Sequence, residues 1–143
     1  MSDSDLIRLY SGRILALTTA IPHLGRLPAP QARVEKRAPL CGSKVAVELV
    51  IENGHVTAFA QEVQACALGQ AAAAVLGQNV LGRSITELQA LAVDLRAMLQ
   101  DNGPVPAAPF GEFEVLLAAR EFKNRHASIL LAVEATAEAA AQA

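Results

Sequence analysis

Between Lys44 and Glu52 (KVAVELVIE) apolar and polar positions alternate. Val45, Val47, Leu49 and Ile51 share one face, and Lys44, Glu48 and Glu52 fall mostly on the other. That period of two predicts a β-strand. Asn53-Gly54 follows at once, a dipeptide that tolerates positive φ at both centres of a type I′ turn, so a two-residue hairpin is expected. Its return strand is His55 to Gln64 (HVTAFAQEVQ). Arg33 to Leu40 (RVEKRAPL) reads as a short polar strand, and Pro39 places it at a sheet edge or a strand end.

Elsewhere the period lengthens. Leu6, Ile7, Tyr10, Ile14, Leu15 and Leu17 recur at helical spacing, which predicts one amphipathic helix from Asp3 to about Ala20, capped by Ser2 or Ser4. Pro22, Gly25, Pro28 and Pro30 then enforce a loop. Cys66 to Leu81 is Ala-rich and predicts a helix able to pack closely against the sheet, ended by Gly82. Ser84 and Glu87 match a capping box, opening a helix with Leu88, Leu91, Leu95, Met98 and Leu99 inward and ending near Asp101. After a Pro/Ala loop come a short helix from Phe113 to about Arg120 and a last helix from Asn124 or Arg125 through Ala137, with a frayed tail AEAAAQA. One helix, about three antiparallel strands, then several helices make the class α+β. No internal repeat interrupts this order, and 143 residues fit one domain, 1–143.

Composition narrows the function. Hydrophobic residues make up 52% but aromatics only 3%, so the core is built from Ala, Leu, Val and Ile. A net charge of −2 gives no footprint for nucleic acid. No apolar run reaches the roughly 18 residues that span a bilayer, and the acidic start MSDSDLIRLY lacks a signal-peptide core. The expectation is a cytoplasmic protein whose two cysteines, Cys41 and Cys66, stay reduced.

The hairpin relates those cysteines. With Asn53 and Gly54 as the loop, Glu52 faces His55, Ile51 faces Val56, and an unbroken ladder carries Cys41 opposite Cys66. The same ladder sets Val45 against Glu62, a poor core pair that hints at a bulge. Cys66 also falls at the start of a helix, where free N–H groups and the dipole favour negative charge, and Gly42 allows close backbone approach beside Cys41. Two ligands of one metal suit this placement better than a disulfide, while from the residues alone cysteines buried as small hydrophobes remain the default reading.

These residues carry a resemblance. Cys41-Gly42-Ser43 ahead of a long strand, the hairpin, and Ala65-Cys66-Ala67-Leu68 opening an Ala-rich helix resemble the U-type iron–sulfur cluster assembly scaffolds: IscU, SufU and the N-terminal domain of NifU. Phe122-Lys123-Asn124-Arg125-His126-Ala127-Ser128-Ile129-Leu130-Leu131-Ala132 is similar to their final motif, F-P-x-R-x-K/H-C-x-x-L-A. The resemblance covers nearly the whole chain and implies a SufE/NifU-like fold with a three-stranded antiparallel sheet packed against several helices. It implies a scaffold rather than an enzyme, an Fe–S cluster or iron as cargo, and a cysteine desulfurase and Fe–S acceptor or carrier proteins as partners. A homo-oligomer is compatible with it. Alternatives are a zinc-binding or sulfur-accepting relative, and an interaction or regulatory protein that holds no metal.

By the same resemblance Cys41 and Cys66 are the first two of three family cysteines. Ser43 stands where the family has an Asp associated with cluster release, and Ser128 where it has the third cysteine. Serine hydroxyls are poor ligands for iron or zinc. His126, two residues before Ser128, is the candidate replacement ligand, and Arg125 is a candidate cation beside a thiolate-rich site. His23 and His55 read as solvated. Gly69, Gly77 and Gly82 form no phosphate loop, and neither Ser43 nor Ser128 sits in a nucleophile elbow.

Overall fold

The computed structural model describes residues 11–39 and 42–143. Helix α1 runs Gly12–Thr18, and its N-cap is Ser11, whose hydroxyl accepts from the Ile14 N–H at 3.4 Å. Ser11 itself is extended (φ −58°, ψ 164°), so the expected single helix from Asp3 does not continue through this point. The proposed caps Ser2 and Ser4 lie outside the described residues. Ile14 and Leu17 are buried, whereas Leu15 is half exposed.

The sheet is antiparallel with strand order β1 (Ala32–Arg37), β2 (Lys44–Glu52), β3 (His55–Gln64). Asn53 and Gly54 take φ of 53° and 78°, the double positive that the tight turn demands. The register then corrects the sequence expectation. Ile51 faces Val56 but Val50 faces Ala58, so Thr57 is the extra residue of a β-bulge. Beyond it Val45 meets Val63 rather than Glu62, which restores an apolar pair. The shift interrupts the unbroken ladder from which the facing of Cys41 and Cys66 was expected. The ladder ends at Lys44–Gln64, short of both cysteines.

Helix α2 is Ala67–Asn79, α3 is Ile85–Gln100 and α4 is His126–Gln142, with 3₁₀ helices at Gly111–Glu121 and Lys123–Arg125 before α4. Ser84 and Glu87 form the full capping box of α3, and all five expected apolar residues of that helix are buried. The Ala-rich α2 packs chiefly on α4 and α1 rather than on the sheet; α4 is the helix that covers β1 and β2. This central place explains why α4 is not frayed. Ala139 and Ala140 are fully buried, and the Lys36 ammonium on β1 reaches Glu138 at 2.6 Å.

The opposite face of the sheet is covered near its middle by the Pro-rich loop. The Gln61 N–H donates to the His23 carbonyl, and the Gly25 N–H donates to the Gln61 carbonyl, so the loop first runs along the outer edge of β3. The Leu27 N–H then donates to Glu48 on β2 at 2.7 Å. Glu48 is therefore buried, not solvated as its place in the alternation suggested. Arg33 at 2.8 Å and Arg26 at 3.2 Å complete its partners. The Leu27 N–H bond and the two guanidinium groups, against an opposing burial cost, hold its carboxyl below the usual range.

Candidate functional site

Three elements meet at one end of the sheet. The first is the β1–β2 loop, closed by two backbone bonds: Ala38 N–H to the Ser43 carbonyl at 2.9 Å, and Gly42 N–H to the Ala38 carbonyl at 3.2 Å. Gly42 has φ 72°, a left-handed conformation suited to glycine. Cys41 belongs to this loop and lies outside the described residues. The second element is the start of α2, where Cys66 is the N-cap in extended conformation. Gln70 fixes it there, because its backbone N–H donates to the Cys66 carbonyl and its side-chain amide donates to the Ala65 carbonyl, both at 2.9 Å. The third is the first turn of α4, carrying Ser128.

The side chains converge. Ser43 Oγ and Ser128 Oγ are 2.9 Å apart, and Ser128 Oγ lies 3.4 Å from Cys66 Sγ. Both serines are buried, at 3% and 1% exposure, while Cys66 is half-buried at the outer end of the series. Two neutral hydroxyls therefore back one thiol that solvent can reach. Gly69 makes the approach of α4 possible. A Cβ there would stand 2.7 Å from Ser128 Oγ, 2.8 Å from Ala65 Cβ and 3.1 Å from the Ser128 carbonyl oxygen.

His126 is engaged elsewhere. It is buried at 4% exposure, and its Nε2–H is shared by the carbonyls of Ala119 at 2.9 Å and Arg120 at 3.0 Å. The ring thus ties the end of the longer 3₁₀ helix to the start of α4, and it is not part of the Ser43–Ser128–Cys66 series. Arg120 in turn caps the end of α3 through the carbonyls of Met98 at 2.7 Å and Gly103 at 2.5 Å. Arg125 is half-buried at the N-cap of α4. His23 and His55 are exposed, one edge-on to Phe59 and one bonded to the Asn53 carbonyl. Among the described residues no three His, Cys, Asp or Glu side chains gather closely enough to hold a metal ion. The sequence did not show Gly69 to be a packing residue, although a signal was present. Glycine within a helix costs about 1 kcal/mol relative to alanine, and in a helix otherwise rich in alanine it has to answer to a close contact.

No protein-family model matches the chain. It is 26% identical over 139 residues to the iron–sulfur cluster assembly scaffold protein IscU of Streptococcus pyogenes serotype M1, covering 97% of this chain and 87% of that one. A NifU-like protein (N-terminal) from Brucella abortus is 39% identical, with 96% of both chains covered and a TM-score of 0.94. A Fervidobacterium islandicum AW-1 protein assigned as a SUF-system cluster assembly scaffold is only 16% identical, with a TM-score of 0.82 over 94% of this chain and 98% of that one; it speaks for the fold alone.

Proposed function

The chain belongs to the NifU-like family of U-type iron–sulfur cluster assembly scaffolds, and from that premise we propose that it holds iron, or an iron–sulfur cluster, as transient cargo on the thiolates of Cys41 and Cys66. The observation that carries the reading is the convergence of Ser43, Cys66 and Ser128 on one hydrogen-bonded series. These are the positions that correspond to the family's Asp, second cysteine and third cysteine. The pole is built as a site even though two of its donors have become hydroxyls.

The donor set limits the chemistry. Two thiolates are half of what a tetrahedral iron or zinc takes. Ser43 and Ser128 do not make up the difference, because they are bonded to each other and a neutral hydroxyl binds these metals poorly. With its Nε2–H given to two carbonyls, His126 retains only Nδ1 as a lone pair. The remaining positions fall to sulfide, water or a ligand from outside the chain. The protein's part is to present two sulfurs on rigid elements; no bond-making residue is required of it. Sulfur reaches it from a cysteine desulfurase and the cargo leaves to acceptor or carrier proteins, in a reducing, cytoplasmic setting. Anaerobic reconstitution of the full chain with iron and sulfide tests this. Sulfur-to-iron charge-transfer absorbance is expected, and it disappears in Cys66→Ala. A colourless unchanged protein overturns the reading.

A further inference from the structure

Ser128 is buried, yet its hydroxyl is the hinge between the two other polar groups of the pole. Its position is overdetermined. Gly69 leaves the space it occupies, Ser43 holds it from one side at 2.9 Å, and Cys66 Sγ meets it from the other at 3.4 Å. A serine hydroxyl has one proton to donate. A sulfur that serves as a ligand carries no proton and only accepts, so Ser128 then gives its proton to sulfur and accepts from Ser43. The three groups are aligned for a single donor direction, Ser43 to Ser128 to Cys66.

We propose that Ser128 is a positioning residue for Cys66: its hydroxyl, seated against Gly69 and oriented by Ser43, fixes the Cys66 rotamer and donates a hydrogen bond to the Cys66 sulfur when that sulfur is a ligand. The second half rests on the reading of Cys66 as a ligand; the first does not. Such a donor draws charge from a thiolate and thereby tunes whatever the thiolate holds. The buried serines are thus partners of the Cys66 thiolate rather than substitutes for lost ligands.

Two measurements on the full chain test this. In the metal-free protein, three-bond NMR couplings across the Cys66 Cα–Cβ bond are expected to report one rotamer. Ser128→Ala is expected to lose that preference and show averaging. Gly69→Ala should do the same while keeping every hydroxyl, because its methyl group displaces Ser128. In the protein loaded with Co²⁺ alone, the sulfur-to-cobalt charge-transfer band is expected to move to lower energy in Ser128→Ala, and less far in Ser43→Ala. A single Cys66 rotamer that persists in both Ser128→Ala and Gly69→Ala overturns the positioning role. A band that stays in place in Ser128→Ala overturns the hydrogen bond to ligand sulfur. If the unchanged chain takes up no Co²⁺ at its thiols, the ligand half and the functional reading both fall, while the rotamer result still decides the first half. Should circular dichroism show Ser128→Ala unfolded, Ser43→Ala carries both measurements: a rotamer and band unchanged there overturn the proposal, and shifts in the stated directions support it.

Discussion

Glu48 offers a sharp test of how the sheet and its covering loop are joined. It is a carboxylate on the central strand with 3% of its side chain exposed, and its oxygens accept from Leu27 N–H, Arg33 and Arg26. Replacement by Ala removes all three bonds. The two guanidinium groups reach solvent, Arg26 at 62% and Arg33 at 35% exposure, so each contributes only about 0.2–1 kcal/mol. The Leu27 N–H is part-buried, and its bond to a charged acceptor is worth about 1.5–3 kcal/mol. The expected loss in Glu48→Ala at pH 7 is thus about 2–5 kcal/mol, read as a lower urea midpoint with an unchanged slope. Glu48→Gln retains an acceptor for Leu27 but turns an amide donor toward two cations, so it falls in between. The pH dependence has a definite sign. The folded carboxyl lies below its ordinary value of 4.5. Its contribution is therefore fully present above that value and is lost as pH falls through the folded one. The gap between the unchanged protein and Glu48→Gln should be constant from pH 8 to about 5.5 and then close in acid. A loss under about 0.5 kcal/mol in Glu48→Ala, or a gap that ignores acid, would refute the reasoning.

Other perturbations act on separate features. Ser84→Ala removes the bond from the Glu87 N–H to the Ser84 hydroxyl in the capping box on α3 and should cost about 1 kcal/mol, measured as a urea-midpoint shift. Gly54→Ala forces a side chain onto φ 78°; a loss of roughly 1 kcal/mol or more is expected, and an unchanged midpoint would show that the turn relaxes freely. Ending the chain at Ala137 removes the Lys36–Glu138 ion pair and the buried Ala139 and Ala140. The melting temperature should fall, whereas a dispensable tail would leave it in place. Phe113→Ala, at a fully buried side chain, should cost about 3–5 kcal/mol by cavity formation.

The strands of the hairpin and the capped helix were legible because their signals are local. Alternation, an Asn-Gly turn and a Ser-x-x-Glu box each report on residues within a few positions of one another. What escaped was set by distant partners. Thr57 carries no sequence mark of a bulge; the bulge shows only in the mismatch of Val45 with Glu62, which pairing across the strands had to expose. The AEAAAQA tail has the composition of a fraying end, yet β1 and the body of the fold give it something to pack on. Glu48 follows the polar phase of the alternation faithfully. It is buried because a loop more than twenty residues away folds over it.

The site shows the same division, with a consequence for its chemistry. The sequence alone related Cys41 to Cys66 through an unbroken hairpin register, whereas the observed ladder carries a bulge and ends at Lys44–Gln64. The pole is assembled instead by helix packing: Gly69 on α2 lets α4 approach until Ser128 touches both Ser43 and Cys66. Pairing of strands and packing of helices are independent constraints, so a one-residue slip in the ladder leaves this convergence intact. It follows that the integrity of the site depends on the α2–α4 contact more than on the hairpin. Gly69→Ala should disturb Cys66 more than Gly54→Ala does, although the turn lies in the element from which the cysteine pairing was first inferred. Comparing how fast Cys66 is alkylated in the two variants decides the matter. Equal disturbance, or a larger effect from the turn, would return control of the site to the sheet.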